Sequence, residues 1–109
     1  YVVKRVIAGA GGSIAGKSVV VVGVSYKSNV ADTRETPAAA VIDLLREQGA
    51  VVSWHDDLVS SWRGEKSAPL AAHEIAVVVT KHDGVSEAAI KACGYVFDCT
   101  GTVSGVDGI

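Results

Sequence analysis

Ser18-Val19-Val20-Val21-Val22-Gly23-Val24 is an apolar run with four consecutive valines, and it reads as a strand covered on both faces. Outward from it, residues 25 to 35 are polar and mixed in charge, which predicts a loop. Thr36-Pro37 follows, with Thr36 suited to an N-cap and Pro37 to the first helical position, where its missing N–H costs nothing. Ala38, Val41, Ile42 and Leu45 then recur at i, i+3, i+4 and i+7, and Gly49 sits where a C-terminal cap belongs. The spacing therefore predicts a helix between Thr36 and Gly49.

The same reading extends to the ends of the chain. Residues 2 to 8 carry Val2, Val3, Val6 and Ile7 at helical spacing, and Gly9 to Gly12 break the pattern. A second strand is expected over Ala50 to Trp54, ending in His55-Asp56-Asp57, and residues 58 to 67 are poorly patterned. A short helix with Pro69 at its start is expected over Ala68 to Glu74. Ile75 to Thr80 reads as a third strand with Lys81 to Gly84 as its exit, Val85 to Ala92 as a helix, and Tyr95 to Cys99 as a fourth strand. Beyond Gly101 the Gly- and Ser-rich tail is expected to fray.

This order implies an α/β fold: a three-layer, Rossmann-like parallel sheet with right-handed crossovers and helices on both faces. Ligands in such sheets sit beyond the C-terminal strand ends, where strand order reverses. That reversal falls between the first and third strands, which places residues 24 to 34 beside residues 80 to 84. A site is expected there.

Composition agrees and excludes other classes. The 109 residues suit one domain, and a chain of this length buries roughly two-thirds of its unfolded surface without disulfides or metals. Val and Ala dominate the apolar residues, there is no Met and only one Phe, as expected for buried strands and helices packed close to a sheet. A net charge of -2 without Lys/Arg runs argues against a nucleic-acid or membrane surface. No apolar stretch reaches the ~18 residues of a membrane span. Tyr1-Val2-Val3-Lys4-Arg5 has no signal-peptide layout and reads as a cut point inside a longer protein. Cys93 and Cys99 match no zinc or redox spacing; they are expected to be buried free thiols in a reducing, cytoplasmic setting.

The loop after the first strand is not a dinucleotide fingerprint. Gly23-Val24-Ser25-Tyr26-Lys27 lacks the second and third glycines that let a backbone approach a pyrophosphate, so no NAD site is expected on this chain. The loop offers side chains instead: Tyr26 a flat face and a hydroxyl for a base or sugar, Lys27 a point charge for a phosphate. Asp32 and Arg34 are spaced for a local ion pair that stiffens the loop. The helix starting at Pro37 adds a weakly positive end nearby.

The stretch from Gly16-Lys17-Ser18 through Gly23-Val24-Ser25-Tyr26-Lys27 and Asp32-Thr33-Arg34-Glu35-Thr36-Pro37 resembles the C-terminal domain of the UDP-glucose/GDP-mannose dehydrogenase family. The shared features are an aromatic-Lys pair, a short spacer, Asp-x-Arg, then Glu-(Ser/Thr)-Pro. The likeness continues through His55-Asp56, Thr80-Lys81-His82-Asp83 and Phe97-Asp98. It implies an NAD-dependent UDP-sugar 6-dehydrogenase that oxidises the sugar C6 alcohol to a carboxylate in two steps, using two NAD. The family's catalytic cysteine lies in an upstream Gly-Phe-Gly-Gly-x-Cys motif, so neither Cys93 nor Cys99 takes that role. Residues 1–15 then correspond to the end of an interdomain helix and a linker, and residues 16–109 to the nucleotide-sugar-binding domain. NAD would belong to an N-terminal domain of the same protein, and the whole is expected to be a homo-oligomer. Two positions depart from the family: Asp56-Asp57 stands where Asp-Pro is frequent, and Asp98-Cys99-Thr100 where the last strand usually ends Asp-x-Arg with the Arg reaching substrate.

Tyr26, Lys27 and Arg34 are thus the candidate substrate contacts, although Tyr26 can equally roof the core and Arg34 can serve only its pairing with Asp32. His55, His82, Asp83 and Asp98 read as ordinary polar residues at strand exits, and His73 as helix surface; no metal is expected. Trp54 and Trp62 suggest an interface with another domain or subunit. Two other functions fit the residues: a free-standing nucleotide-binding or regulatory module, and an oligomerisation domain, neither with catalysis.

Overall fold

The computed structural model describes residues 1–71 and 73–109. Its elements are α1 (Val2–Gly9), β1 (Ser18–Val22), α2 (Ala38–Glu47), β2 (Val51–His55), β3 (Ser61–Trp62), β4 (Glu65–Lys66), β5 (Ile75–Val78), α3 (Glu87–Lys91), β6 (Tyr95–Asp98) and β7 (Asp107–Gly108). The main sheet runs β2-β1-β5-β6-β7, and every pairing in it is parallel. β1 is an interior strand, with Val20 registered on Ser53 on one side and on Ala76 on the other.

The valine run explains the layers. Side chains alternate across a strand, so Val19 and Val21 join the core formed with Val3 and Val6 of α1 and Ile42 and Leu45 of α2. Val20 and Val22 face the opposite way and pack with Ile90 of α3 and with Cys93. All four valines are at most 1% exposed. Helices therefore cover both faces, as expected for a strand with no polar face. Among the described residues no helix is long and apolar enough to cross a membrane.

The helix between Thr36 and Gly49 is built from its caps. The N-cap is Pro37, with helical dihedrals (φ -66, ψ -17), one residue later than the sequence predicts. The Thr36 hydroxyl before it accepts the Ala38 N–H at 3.2 Å and so satisfies one of the free amides of the first turn. At the other end Gly49 has φ +86. Its N–H is donated to Arg46 O and that of Ala50 to Leu45 O, the paired bonds of a Schellman stop.

Several expectations need correction. Residues 58 to 67 contain the antiparallel hairpin β3–β4, turned by Arg63 (φ +53) and Gly64 (φ +76), a two-residue turn of the kind that matches strand twist. Trp54 is not at an interface: it is 1% exposed, and Trp62 packs against it edge-on, with ring centroids 5.9 Å apart. The expected helix over 68 to 74 is absent from the described residues 68–71 and 73–74; Ala72 lies outside them. Ala68 donates its N–H to Trp54 O, which holds the segment extended along β2, and His73 is half-buried outside any helix. Cys93 is a buried free thiol and Cys99 only a half-buried one. The tail does not fray. β7 pairs with β6, Tyr95 donates its hydroxyl to Asp107, and the Arg5 guanidinium donates to Gly108 O.

Candidate functional site

The C-terminal ends of β1, β5 and β6 meet at one end of the sheet, and the exit of β1 passes close over that of β5. Gly23 makes this possible. Its φ is +90, and a Cβ there would lie 1.9 Å from Thr80 O, so neither the conformation nor the space admits a side chain.

Beyond Gly23 the chain is fastened by a buried carboxylate from the exit of β2. Asp56 Oδ2 accepts the N–H groups of Val24 (2.9 Å) and Ser25 (3.2 Å) and the Ser25 hydroxyl (2.9 Å). Asp56 Oδ1 accepts the Leu58 N–H (2.8 Å) and lies 2.9 Å from His82 Nε2. Burial pushes the Asp56 carboxyl up, but the bonds from Leu58, Val24 and Ser25 and the nearby His82 outweigh it and leave its pKa below the ordinary value. Ser25, His82 and Asp56 together are not a nucleophilic triad. Ser25 is fully buried, and its hydroxyl proton is donated to Asp56 rather than to the imidazole.

Held on this base, the loop turns outward. Tyr26 donates its N–H to Asp32 O, which closes the turn, and Tyr26 is 54% exposed. Lys27 and Ser28 are also exposed. With Lys81, Thr100 and Thr102 they line a groove of about 290 Å³. On the other side of Tyr26 a recess of about 420 Å³ is lined by Asp32, Arg34 and Glu35. Tyr26 and Lys27 therefore share one groove, while Arg34 faces the neighbouring recess. Arg34 makes a bidentate pair with Asp32, at 3.0 Å from Nε to Oδ1 and 2.7 Å from Nη2 to Oδ2. Those hydrogen bonds lower the Asp32 carboxyl to about 2.

Lys81 and Thr102 are groove residues that the sequence reading passed over, although it placed residues 80 to 84 opposite the loop. Thr100, standing where the family usually has Arg, donates its hydroxyl to Asp98 Oδ1 at 2.6 Å. Asp98 also accepts the N–H groups of Thr100 and Val103 at 2.8 Å each. Neither thiol is activated: burial pushes Cys93 up, and burial with the adjacent Asp98 pushes Cys99 to about 11. Among the described residues no group of three or more His, Cys, Asp or Glu is gathered to hold a metal ion. The groove thus offers an aromatic face, two ammonium groups and several hydroxyls, a set suited to an anionic, hydroxyl-rich ligand with a ring.

Comparison with known proteins gives a consistent picture. Residues 20–104 match the family model described as UDP-glucose/GDP-mannose dehydrogenase family, UDP binding domain. The chain is 43% identical over 53 residues to a UDP-glucose 6-dehydrogenase of Rhizobium meliloti, covering 49% of the chain and 12% of that protein. It is 41% identical over 64 residues to a UDP-N-acetyl-D-mannosamine dehydrogenase of Methanococcus maripaludis, covering 56% and 15%. Among solved structures, a UDP-D-ManNAc dehydrogenase from Pyrococcus horikoshii superposes with TM-score 0.72 at 21% identity, over 99% of this chain and 29% of that one. A UDP-glucose dehydrogenase from Pyrobaculum islandicum gives TM-score 0.67 at 24% identity, over 90% and 25%. The structural matches establish the fold. The chain spans 12% and 15% of the length of the two sequence relatives.

Proposed function

Because this chain belongs to the UDP-glucose/GDP-mannose dehydrogenase family and carries its UDP binding domain, we propose that the groove beyond β1, β5 and β6 holds the nucleotide half of a UDP-sugar. Tyr26 offers its ring to the base or ribose, and Lys27 its ammonium to the diphosphate. Arg34 contributes from the adjoining recess through the N–H groups that Asp32 leaves free. Lys81 adds a second cation across the groove. The observation that carries this reading is the placement of Tyr26 and Lys27 on one groove, at the point where strand order reverses. Ligands gather there because strand-exit loops diverge and leave a crevice.

In this proposal the whole protein is an NAD-dependent UDP-sugar 6-dehydrogenase. The NAD and the catalytic cysteine belong to its N-terminal domain, residues 1–15 to the interdomain helix and linker, and residues 16–109 to the substrate-binding domain. The relatives' names, each a UDP-sugar dehydrogenase, support that assignment. The free thiols support a cytoplasmic setting. Exposed Leu44, Val51 and Leu58 support contact with the N-terminal domain or with further copies in a homo-oligomer.

Calorimetry with UDP-glucose tests the site. Lys27→Ala should weaken binding by roughly 1.5–3 kcal/mol, the worth of a charge-assisted hydrogen bond. Its melting temperature should stay close to that of the parent, since the side chain is exposed. Equal affinity in the two proteins would refute the assignment of Lys27.

A further inference from the structure

His82 is the residue at this end of the sheet whose role the ligand groove does not explain. It is 3% exposed and lies between three strand exits. Its Nδ1 accepts the Asn29 backbone N–H at 2.7 Å, so that nitrogen carries no proton. Its Nε2 is 2.9 Å from Asp56 Oδ1 and 3.2 Å from Ser25 Oγ. A carboxylate only accepts, and the Ser25 proton already goes to Asp56, so Nε2 bears the hydrogen. The surroundings thus select one neutral tautomer. Asn29, in the left-handed region at φ +64, is fastened a second time where its Oδ1 accepts the Asp83 N–H at 3.0 Å.

We infer that His82 is a positioning residue for the ligand loop: its neutral ring holds Asn29, and with it Tyr26 and Lys27, at the groove, and a second proton on the ring releases that hold. The inference rests on the reading of the groove as a nucleotide site. Protonated Nδ1 would be a donor facing the Asn29 donor. A proton on Nδ1 would leave the Nε2 contact to Asp56 in place. The contact that gives way is therefore the one to Asn29. The other charged groups nearby are engaged or peripheral. Asp57, also after β2, is bonded to His55 at 2.7 Å and stands beside Gly84. Lys81 and Asp83 flank His82 in the chain, and Lys27 is on the exposed part of the loop.

The test follows the His82 ring nitrogens and the Asn29 amide by NMR in the wild-type chain from pH 8 downward, with UDP-glucose calorimetry over the same range. UDP-glucose is the probe because its diphosphate diester keeps its charge there. The expected result is an Nε2–H ring at high pH, an Asn29 amide that titrates with the ring, and affinity that falls about fivefold to tenfold across that titration, the loss of one hydrogen bond. His82→Ala should weaken binding at high pH by a similar factor. His82→Asn, whose Oδ1 can stand in for Nδ1, should recover most of the loss and flatten the pH dependence. A ring that stays neutral until the chain unfolds, an Asn29 amide indifferent to the ring, or an unchanged affinity across the titration would overturn the proposal. The wild-type titration decides it even where a substitution prevents folding. If Asn29 follows the ring but UDP-glucose binds at no pH, the clasp stands and the nucleotide reading of the groove falls.

Discussion

Two loops leave the sheet at the same end and line the same groove, yet they are held in opposite ways. The exit of β1 is fastened from outside by residues far away in sequence: Asp56 from β2, and Thr80 and His82 from β5. The exit of β6 is fastened from within, since Asp98 satisfies Thr100 and Val103, two and five residues further on. The difference appears in what each loop has left to offer. With its backbone tied down by other elements, the β1 loop presents Tyr26 and Lys27 outward. The β6 loop spends the Thr100 hydroxyl on its own turn. One loop is a platform, and the other is a wall.

The largest effect on the β1 loop is expected at Asp56. Every partner of this carboxylate is a donor, so Asp56→Asn, which keeps the shape, places an amide N–H against donors and leaves buried N–H groups unmet. The expected cost is about 3 kcal/mol of stability, read by chemical denaturation. The sign with pH follows from the lowered pKa of this group. Its contribution is present above the ordinary carboxylate value and is lost as pH falls through the lower, folded value. A pH-stability curve for the parent should therefore drop on the acid side more steeply than that for Asp56→Asn. Parallel curves would mean that the β1 exit is held by something else.

Asp98→Asn sharpens the other half. Fewer buried donors depend on this carboxylate, and all lie in its own loop, so the cost should be about 2 kcal/mol. Affinity for UDP-glucose should change less than in Lys27→Ala. A larger loss of stability than in Asp56→Asn would reverse the ranking of the two loops.

The parts of the molecule that follow local rules were legible in the sequence. Four valines in succession read as a strand covered on both faces because the run is short and β-branched, and the start near Thr36-Pro37 and the stop at Gly49 are signals contained within a few residues. The position of Tyr26 and Lys27 on a groove was legible because a strand exit beside a topological reversal is where a parallel sheet leaves a crevice; that they meet a ligand there is the proposal. What escaped depends on distant partners. The hairpin β3–β4 has strands too short for any periodicity, and β7 is held by Arg5 and Tyr95. Trp54 looked like interface until Trp62 folded over it. His82 read as a routine strand-end polar residue because its partners Asp56 and Asn29 lie 26 and 53 residues away.

Amide chemical shifts report most directly whether the groove at Tyr26 and Lys27 takes the uridine diphosphate proposed for it. On adding UDP to the isotope-labelled chain, the amides of Tyr26, Lys27, Ser28, Lys81, Thr100 and Thr102 should move together and saturate on one binding curve. Those of the β3–β4 hairpin should stay still. The opposite end of the sheet holds a larger cavity of about 500 Å³, bordered by Lys91, Tyr95 and Asp107. Shifts confined to that cavity, or no shifts with UDP in large excess, would contradict the account.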